Sequence, residues 1–417
     1  MKIAFFIWEF YPRLVGGLGV YGIEVTKKFV EMGHEVTVFT LNDGNLPTYE
    51  IWNEIEIHRP LIVDSSYIFP VFVREDLKRW GKNIKFFSDI FSYNYLAATK
   101  FVNLLVKKQK REFDIVAYHD WLSAFSGIIV QKNVPELPTV FHVHSIEEQR
   151  SLGLGSQTVK DIERFAAKDS NKIITVSYSM KDFLIQLGYP AEKISVVYNG
   201  IDVEKYNPKN VNWELVDKLR EMYGIRENEK VVFYIGRLTW IKGVYNLVKA
   251  IPLVLNEFPN TKFIILGKGE SFDNLLALAQ QLKLIERNKV VIRSEWISEE
   301  ERIAHYALAD LCVFPSLSEP FGIVSLEAMA MKKPLVVGAS GVSGFREQVI
   351  PDGPDRTGVH INGADPNDIA WGIKVILSNL EKVKKWGENG RKRVIENFTI
   401  EKTAKKTLSI YEEISKR

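Results

Sequence analysis

The sequence predicts an α/β protein built from two doubly wound parallel-sheet domains, and three observations carry that prediction. At 417 residues the chain is too long for one ordinary hydrophobic core. Apolar runs of strand length alternate with amphipathic stretches of helix length, the pattern of parallel sheets covered on both faces. The alternation also starts twice. IAFFIWEFYPRLVGGLGVYGIEVTKKFV near the N-terminus and VVFYIGRLTWIKGVYNLVKAI from Val231 each read as strand, long loop and helix, an architectural likeness without a solenoid period.

In chain order, Ile3–Ile7 reads as a buried strand, Gly19–Met32 as a helix and Val36–Thr40 as the next strand. Further strands are predicted at Ile115–Tyr118, Thr139–Val143, Lys172–Val176 and Ile194–Tyr198. Residues 199–227 are polar and irregular, so the boundary falls there, giving domains at 1–205 and 206–394. The second domain takes strands at Val231–Gly236, Phe263–Leu266, Val290–Ile292, Leu311–Phe314 and Pro334–Val337. Its helix Val244–Phe258 keeps Val244, Leu247, Val248, Ile251 and Leu255 at helical spacing, with Pro252 expected to kink it. The closing stretch 395–417 contains a helix over Thr399–Ile414, with Ala404, Leu408, Tyr411 and Ile414 on one face.

Composition narrows the function classes. Hydrophobic residues at 46% and charged residues at 26% are those of a soluble globular protein. Lys and Arg number 55 against 52 Asp and Glu, which gives no reason to expect nucleic acid. The one cysteine, Cys312, lies in the apolar run LCVF and excludes an intrachain disulfide framework. With no signal peptide and no run of membrane-span length, a cytoplasmic location is expected.

The chemistry-bearing residues fall at the ends of predicted strands. In PSLSEPFGIVSLEAMA, Glu319 precedes a strand-to-helix corner and Glu327 lies more than a turn into the helix. Such a corner offers free backbone N–H groups, here around Phe321, Gly322, Ile323 and Val324, and suits a phosphate. Two flanking carboxylates suit a phosphate that carries sugar hydroxyls; they equally suit a capped core helix with solvated glutamates. Arg237 and Lys242 in GRLTWIKG can clamp a diphosphate without a metal, or can be solvated loop cations. Gly16 and Gly17 allow close backbone approach to a ligand, although the spacing is not GxGxxG and no acidic residue ends the second strand, so no nicotinamide cofactor is expected. Asp120 in HDW and His144 in HVHS end two strands. His142 and His144 lack a third ligand at sequence spacing, so no metal is expected.

Together these segments resemble the retaining GT-B glycosyltransferases, in particular glycogen and starch synthases and related family-4 transferases. The likeness runs nearly end to end, through YPRLVGGLGVY, HDW, FHVHS, VVYNGID, GRLTWIKG, GKGE and SEPFGIVSLEAMA. It implies two Rossmann-like domains with a cleft between them and a last helix crossing back to the first domain. It implies that Arg237 and Lys242 bind the donor diphosphate, Glu319 the donor sugar, Glu327 the nucleotide ribose and His144 the transferred sugar. Gly16, Gly17 and the Phe321–Val324 amides would meet donor oxygens, and Asp120 would lie on the acceptor side. The implied reaction is retaining transfer of a hexose from UDP- or ADP-glucose to an α-glucan or small sugar, with no cofactor. One departure stands out: bacterial glycogen synthases carry lysine in the glycine loop where this chain has Leu14, which favours the broader family-4 class. Alternatives left open are a lipid-linked or membrane-associated acceptor, trehalose- or sucrose-type synthesis, a sugar-nucleotide epimerase and a non-enzymatic sugar-binding protein. The aromatic segment 78–95 with the basic run Lys107–Arg111 supports the membrane reading.

Overall fold

The computed structural model describes residues 1–415. The chain divides into two compact units, Met1–Asn199 joined by the chain from Ile400 onward, and Gly200–Thr399. Residues 200–205 and 395–399 thus lie in the second unit, tied together by the bridge between Ile201 and Thr399. Residues 416 and 417 of the expected C-terminal segment fall outside the described residues.

The first unit is an eight-stranded sheet of β1 (Lys2–Phe6), β2 (Glu35–Phe39), β3 (Tyr49–Trp52), β4 (Ile55–His58), β5 (Ile115–His119), β6 (Thr139–Val143), β7 (Lys172–Thr175) and β8 (Ile194–Val196), in the order 3-4-2-1-5-6-7-8. All neighbours are parallel except β3, which pairs antiparallel with β4 at one edge. The hairpin departs from the expected purely parallel sheet. Its strands are four residues each and rich in polar residues (YEIW, IEIH), so no apolar run announces them. Central strands β5 and β6 are buried at every position, which is why they read as continuous apolar runs.

The second unit is a six-stranded parallel sheet of β9 (Lys230–Ile235), β10 (Thr261–Leu266), β11 (Val290–Arg293), β12 (Leu311–Phe314), β13 (Leu335–Gly338) and β14 (Gly358–Ile361), in the order 11-10-9-12-13-14. β14 adds a strand to those expected, because GVHI is short and opens on glycine. Cys312 is free and buried in β12. The helix Val244–Leu255 contains Pro252 and stops three residues short of its expected end.

The last helix, Ile400–Ser415, belongs to the first unit. Ala404, Leu408, Tyr411 and Ile414 are all buried and join the cluster formed by Phe5, Tyr21, Val25 and Phe29. The predicted apolar face is therefore the packing face.

Candidate active site

In the second unit, the corner between β12 and the helix Ile323–Ala330 gathers most of the chemistry. Lys242 Nζ donates to Glu319 Oε2 in a short ion pair, and Ser316 Oγ donates to the same oxygen at 3.2 Å. The backbone fixes Glu319 on both sides: its N–H donates to Val342 O, and the Gly344 N–H donates to its carbonyl, each at 2.8 Å. The lysine arrives because its loop packs backbone to backbone on the corner. Leu317 N–H donates to Ile241 O at 2.8 Å, and a Cβ on Gly243, where φ is +67°, would stand 1.9 Å from Pro315 O. Only glycine permits that approach.

Gly322, with φ of +88°, caps the helix without a side-chain hydrogen bond, so the first-turn amides of Ile323 and Val324 have no side-chain cap. The dipole and these N–H groups make the end attractive to an anion. Phe321 is buried and its carbonyl accepts from Gln348 Nε2 at 2.9 Å, which pins the turn. Arg237 is exposed, and among the described residues no carboxylate pairs with it within ion-pair distance. Its loop is joined to the Lys268 loop through Leu238 N–H and Lys268 O at 2.8 Å, placing two exposed loop cations on neighbouring strand ends.

Glu327, the residue expected to hold the nucleotide ribose, is set in a network of protein partners. It is buried, accepts from Tyr306 at 2.7 Å and Tyr206 at 3.1 Å, and has Arg302 at 3.4 Å. Burial, with the charge of Glu327 added to it, pushes both phenols far up, while Glu327 in turn holds Arg302 in its charged form against burial. Tyr206 and Arg302 lie far from the E-x7-E segment in sequence, and no spacing could have joined them to it. Trp240 and Trp296 are both exposed rather than packed in the core.

In the first unit, Asp120 takes φ of +52°, a conformation costing a non-glycine residue on the order of 1–2 kcal/mol. The strain has a visible return: Oδ1 accepts the amides of His144 at 2.7 Å and Ser145 at 3.2 Å, so Asp120 sets the backbone that carries His144. Burial raises its pKa to about 6, although Arg150 and the two amides work against that rise. Behind the loop Arg150 donates to Ser145 Oγ at 2.8 Å and reaches Glu163, whose burial raises it to about 8.

The structure supplies the third histidine that sequence spacing lacked. His119, ending β5, brings its ring nitrogens within 4.8 Å of those of His142 and His144. The arrangement is a stack: His119 and His142 lie 4.5 Å apart at 25°, and His119 and His144 5.7 Å apart at 25°. Lone pairs on face-to-face rings run side by side, whereas a chelated ion needs them to converge. Burial lowers His144 to about 3 and holds His119 and His142 far down as well, so the stack is neutral. His119 Nδ1 is 2.9 Å from Phe6 O, and His142 Nε2 is 2.7 Å from the Tyr411 hydroxyl on the last helix.

The glycine loop holds a residue that the sequence reading missed. Glu9, three residues beyond β1, accepts the amides of Val15 at 2.6 Å and Gly16 at 2.8 Å on Oε2. The Gly16 N–H expected for a donor oxygen is therefore taken, while Gly17 opens the helix Gly17–Glu31. The one signal was a carboxylate interrupting IAFFIWEF.

Comparison with known proteins supplies the family. The profile "Glycosyltransferase Family 4" matches residues 15–205, and "Glycosyl transferases group 1" matches residues 216–393. An uncharacterized glycosyltransferase of Methanocaldococcus jannaschii is 33% identical, with 99% of this chain and 98% of the relative covered. A glycogen synthase of Mycobacterium tuberculosis is 27% identical over 99% of this chain and 94% of its own. Among solved structures, the catalytic domain of starch synthase IV from Arabidopsis thaliana superposes with a TM-score of 0.77 at 18% identity, covering 100% of this chain and 99% of that one. The chain belongs to the family-4 glycosyltransferases of the GT-B type.

Proposed function

We propose that this protein is a retaining hexosyltransferase that moves glucose from UDP- or ADP-glucose to an α-glucan or a small sugar acceptor. The observation that carries the reading is the Lys242–Glu319 pair at an uncapped helix N-terminus. A cation for the diphosphate and a carboxylate for sugar hydroxyls are what a nucleotide sugar requires side by side. Arg237 adds a second cation, and the Ile323 and Val324 amides take donor oxygens. His144, neutral and with a buried Nε2 that has no hydrogen-bond partner, is the hydrogen-bonding partner of the transferred sugar. Relatives known as glycogen synthase and α-maltose-1-phosphate synthase support the hexose.

In the proposed step the bond from the anomeric carbon to the β-phosphate oxygen breaks, and the acceptor oxygen bonds to that carbon on the same face. The acceptor's proton passes to a leaving phosphate oxygen. Arg237 and Lys242 absorb the charge that develops on the diphosphate, which removes the need for a metal. Asp120 keeps the His144 backbone in place and lies on the acceptor side. The test is nucleoside diphosphate release from UDP-glucose, ADP-glucose, UDP-galactose and GDP-mannose against glycogen, maltose, glucose and no acceptor, with and without EDTA. Release with one donor, dependent on acceptor and indifferent to EDTA, is expected; no release with any donor removes the reading.

A second reading, an acceptor held at a membrane, draws on an exposed apolar ledge. Tyr67 is 82% exposed, Val71 81% and Phe72 61%, and Phe69 links Phe72 to Phe91 on the helix Ile84–Thr99. Pelleting with anionic liposomes supports it, and full recovery in the supernatant excludes it.

A further inference from the structure

Glu9 is a buried carboxylate that the reaction outlined above does not use. It is 6% exposed, and among the described residues no Lys, Arg or His lies within ion-pair distance of it. The loop's own cation, Arg13, lies over the Trp8 ring at 5.4 Å instead. The side chain of Leu14 packs toward Gly19 and brings no charge to the loop. Glu9 is met instead by the Val15 and Gly16 amides on Oε2, with the positive end of the helix Gly17–Glu31 behind them. The fit is close: a Cβ on Gly19 would come within 2.9 Å of Oε2 and 3.1 Å of Glu9 Cγ.

An ionised carboxylate can accept about four hydrogen bonds. Oε2 has two, and no protein group among the described residues donates to Oε1. That oxygen faces Gly16, where a Cβ would still stand 4.0 Å away. An anion-binding loop has thus been filled by an anion of the chain's own, leaving an acceptor oxygen beside it.

We propose that Glu9 Oε1 receives a hydroxyl of the acceptor, and that its charge makes the acceptor subsite select uncharged sugars over phosphorylated ones. The proposal rests on the transferase reading, in which Asp120 lies on the acceptor side, and names the acceptor class for it. Glu9 stands near enough to Asp120 for its charge to raise that carboxyl, which sets Glu9 on the acceptor side rather than the donor side. A phosphate brought to this loop would find the Gly16 amide taken and a carboxylate in its place. At about 6 Å and an effective dielectric of about 20, one pair of like charges disfavours binding on the order of 100-fold. A sugar hydroxyl instead donates to Oε1 and gains a charge-assisted hydrogen bond.

The experiment compares glucose with glucose 6-phosphate, and maltose with maltose 1-phosphate, as acceptors of the wild type and of Glu9→Gln. Glutamine keeps the shape and can still accept the Val15 and Gly16 amides through its oxygen, but it turns a donor toward the acceptor. Wild type is expected to favour each uncharged sugar at least about tenfold in kcat/KM. Glu9→Gln is expected to raise the KM for the uncharged sugar about tenfold, to narrow the preference, and to leave the KM for the nucleotide sugar and the melting temperature unchanged. Calorimetric binding of the same four sugars, which needs no turnover, separates failure of this proposal from failure of the transferase reading. A wild type that prefers phosphorylated sugars overturns the proposal. So does a Glu9→Gln variant with unaltered preference, or one whose defect lies in the donor KM.

Discussion

Lys242 and Glu319 neutralise one another in this structure, and that pairing decides what each substitution should do. Removing either leaves the other a partly buried charge without its partner, and also removes a group proposed to meet the donor. Lys242→Ala and Glu319→Ala should each lower kcat by roughly 10²–10³, the loss typical of one electrostatic donor in a transition state. Steady-state release assays with circular dichroism as the fold control check this, and near-normal turnover in either variant would sink the assignment. Asp120 calls for a different measurement. Its pKa is raised to about 6 against an ordinary 3.8, chiefly by burial, so the charged form that grips the His144 and Ser145 amides is lost below pH 6. Activity should fall on the acid side with a midpoint near pH 6, and Asp120→Asn should lack that limb. Stability moves the opposite way. Between the two pKa values the folded state binds more protons than the unfolded one, so the Asp120 contribution declines as pH rises from about 4 to about 6. A wild type whose activity is level from pH 5 to 7 would remove Asp120 from this role.

At the scale of elements, the loop Arg237–Gly243 and the corner Pro315–Gly322 form one piece, held by Gly243 against Pro315. Gly243→Ala would put a Cβ 1.9 Å from the Pro315 carbonyl oxygen, an overlap no rotamer relieves. It should cost at least about 2 kcal/mol in denaturant unfolding, combining a left-handed conformation with forced backbone separation. It should also lower kcat, because Lys242 is carried away from Glu319; unchanged stability and turnover would refute the coupling. Such contacts explain what could be read beforehand and what could not. Strands β5, β6, β9 and β12 were legible because burial on both faces writes an unbroken apolar run. The β3–β4 hairpin and β14 were not: edge strand β3 leaves half its residues exposed, the four residues of β4 are broken by Glu56, and β14 opens on glycine. Residues of the candidate site could be singled out where they follow a strand within a motif, as Lys242, Glu319 and His144 do. The partners that set their state were invisible: Glu9 on the Gly16 amide, Tyr206 on Glu327 and His119 beside His144 meet only through the fold.

Across the whole molecule, the chain runs through one sheet, builds the second, and returns its last helix to the first. The return is a matter of apolar area. Ala404, Leu408, Tyr411 and Ile414 are buried against Phe29, Val25 and their neighbours, and Tyr411 also reaches His142 at 2.7 Å. At about 1.5–3 kcal/mol for each large apolar side chain, this face contributes an amount comparable with the roughly 5–15 kcal/mol net stability of a typical domain. The first unit therefore should not hold its fold without residues 400–415, whereas the second unit, whose chain ends at Thr399, has all of its own sheet. A chain stopped after Thr399 should lose the first unit's cooperative unfolding transition in calorimetry and retain the second's. Tyr411→Phe, which keeps the ring and removes only the hydroxyl, should lower the first transition by roughly 1–2 kcal/mol through the bond to His142. If the truncated chain still showed both transitions, the helix would be an accessory to the first unit, and its burial against the sheet would count for little in holding that unit together.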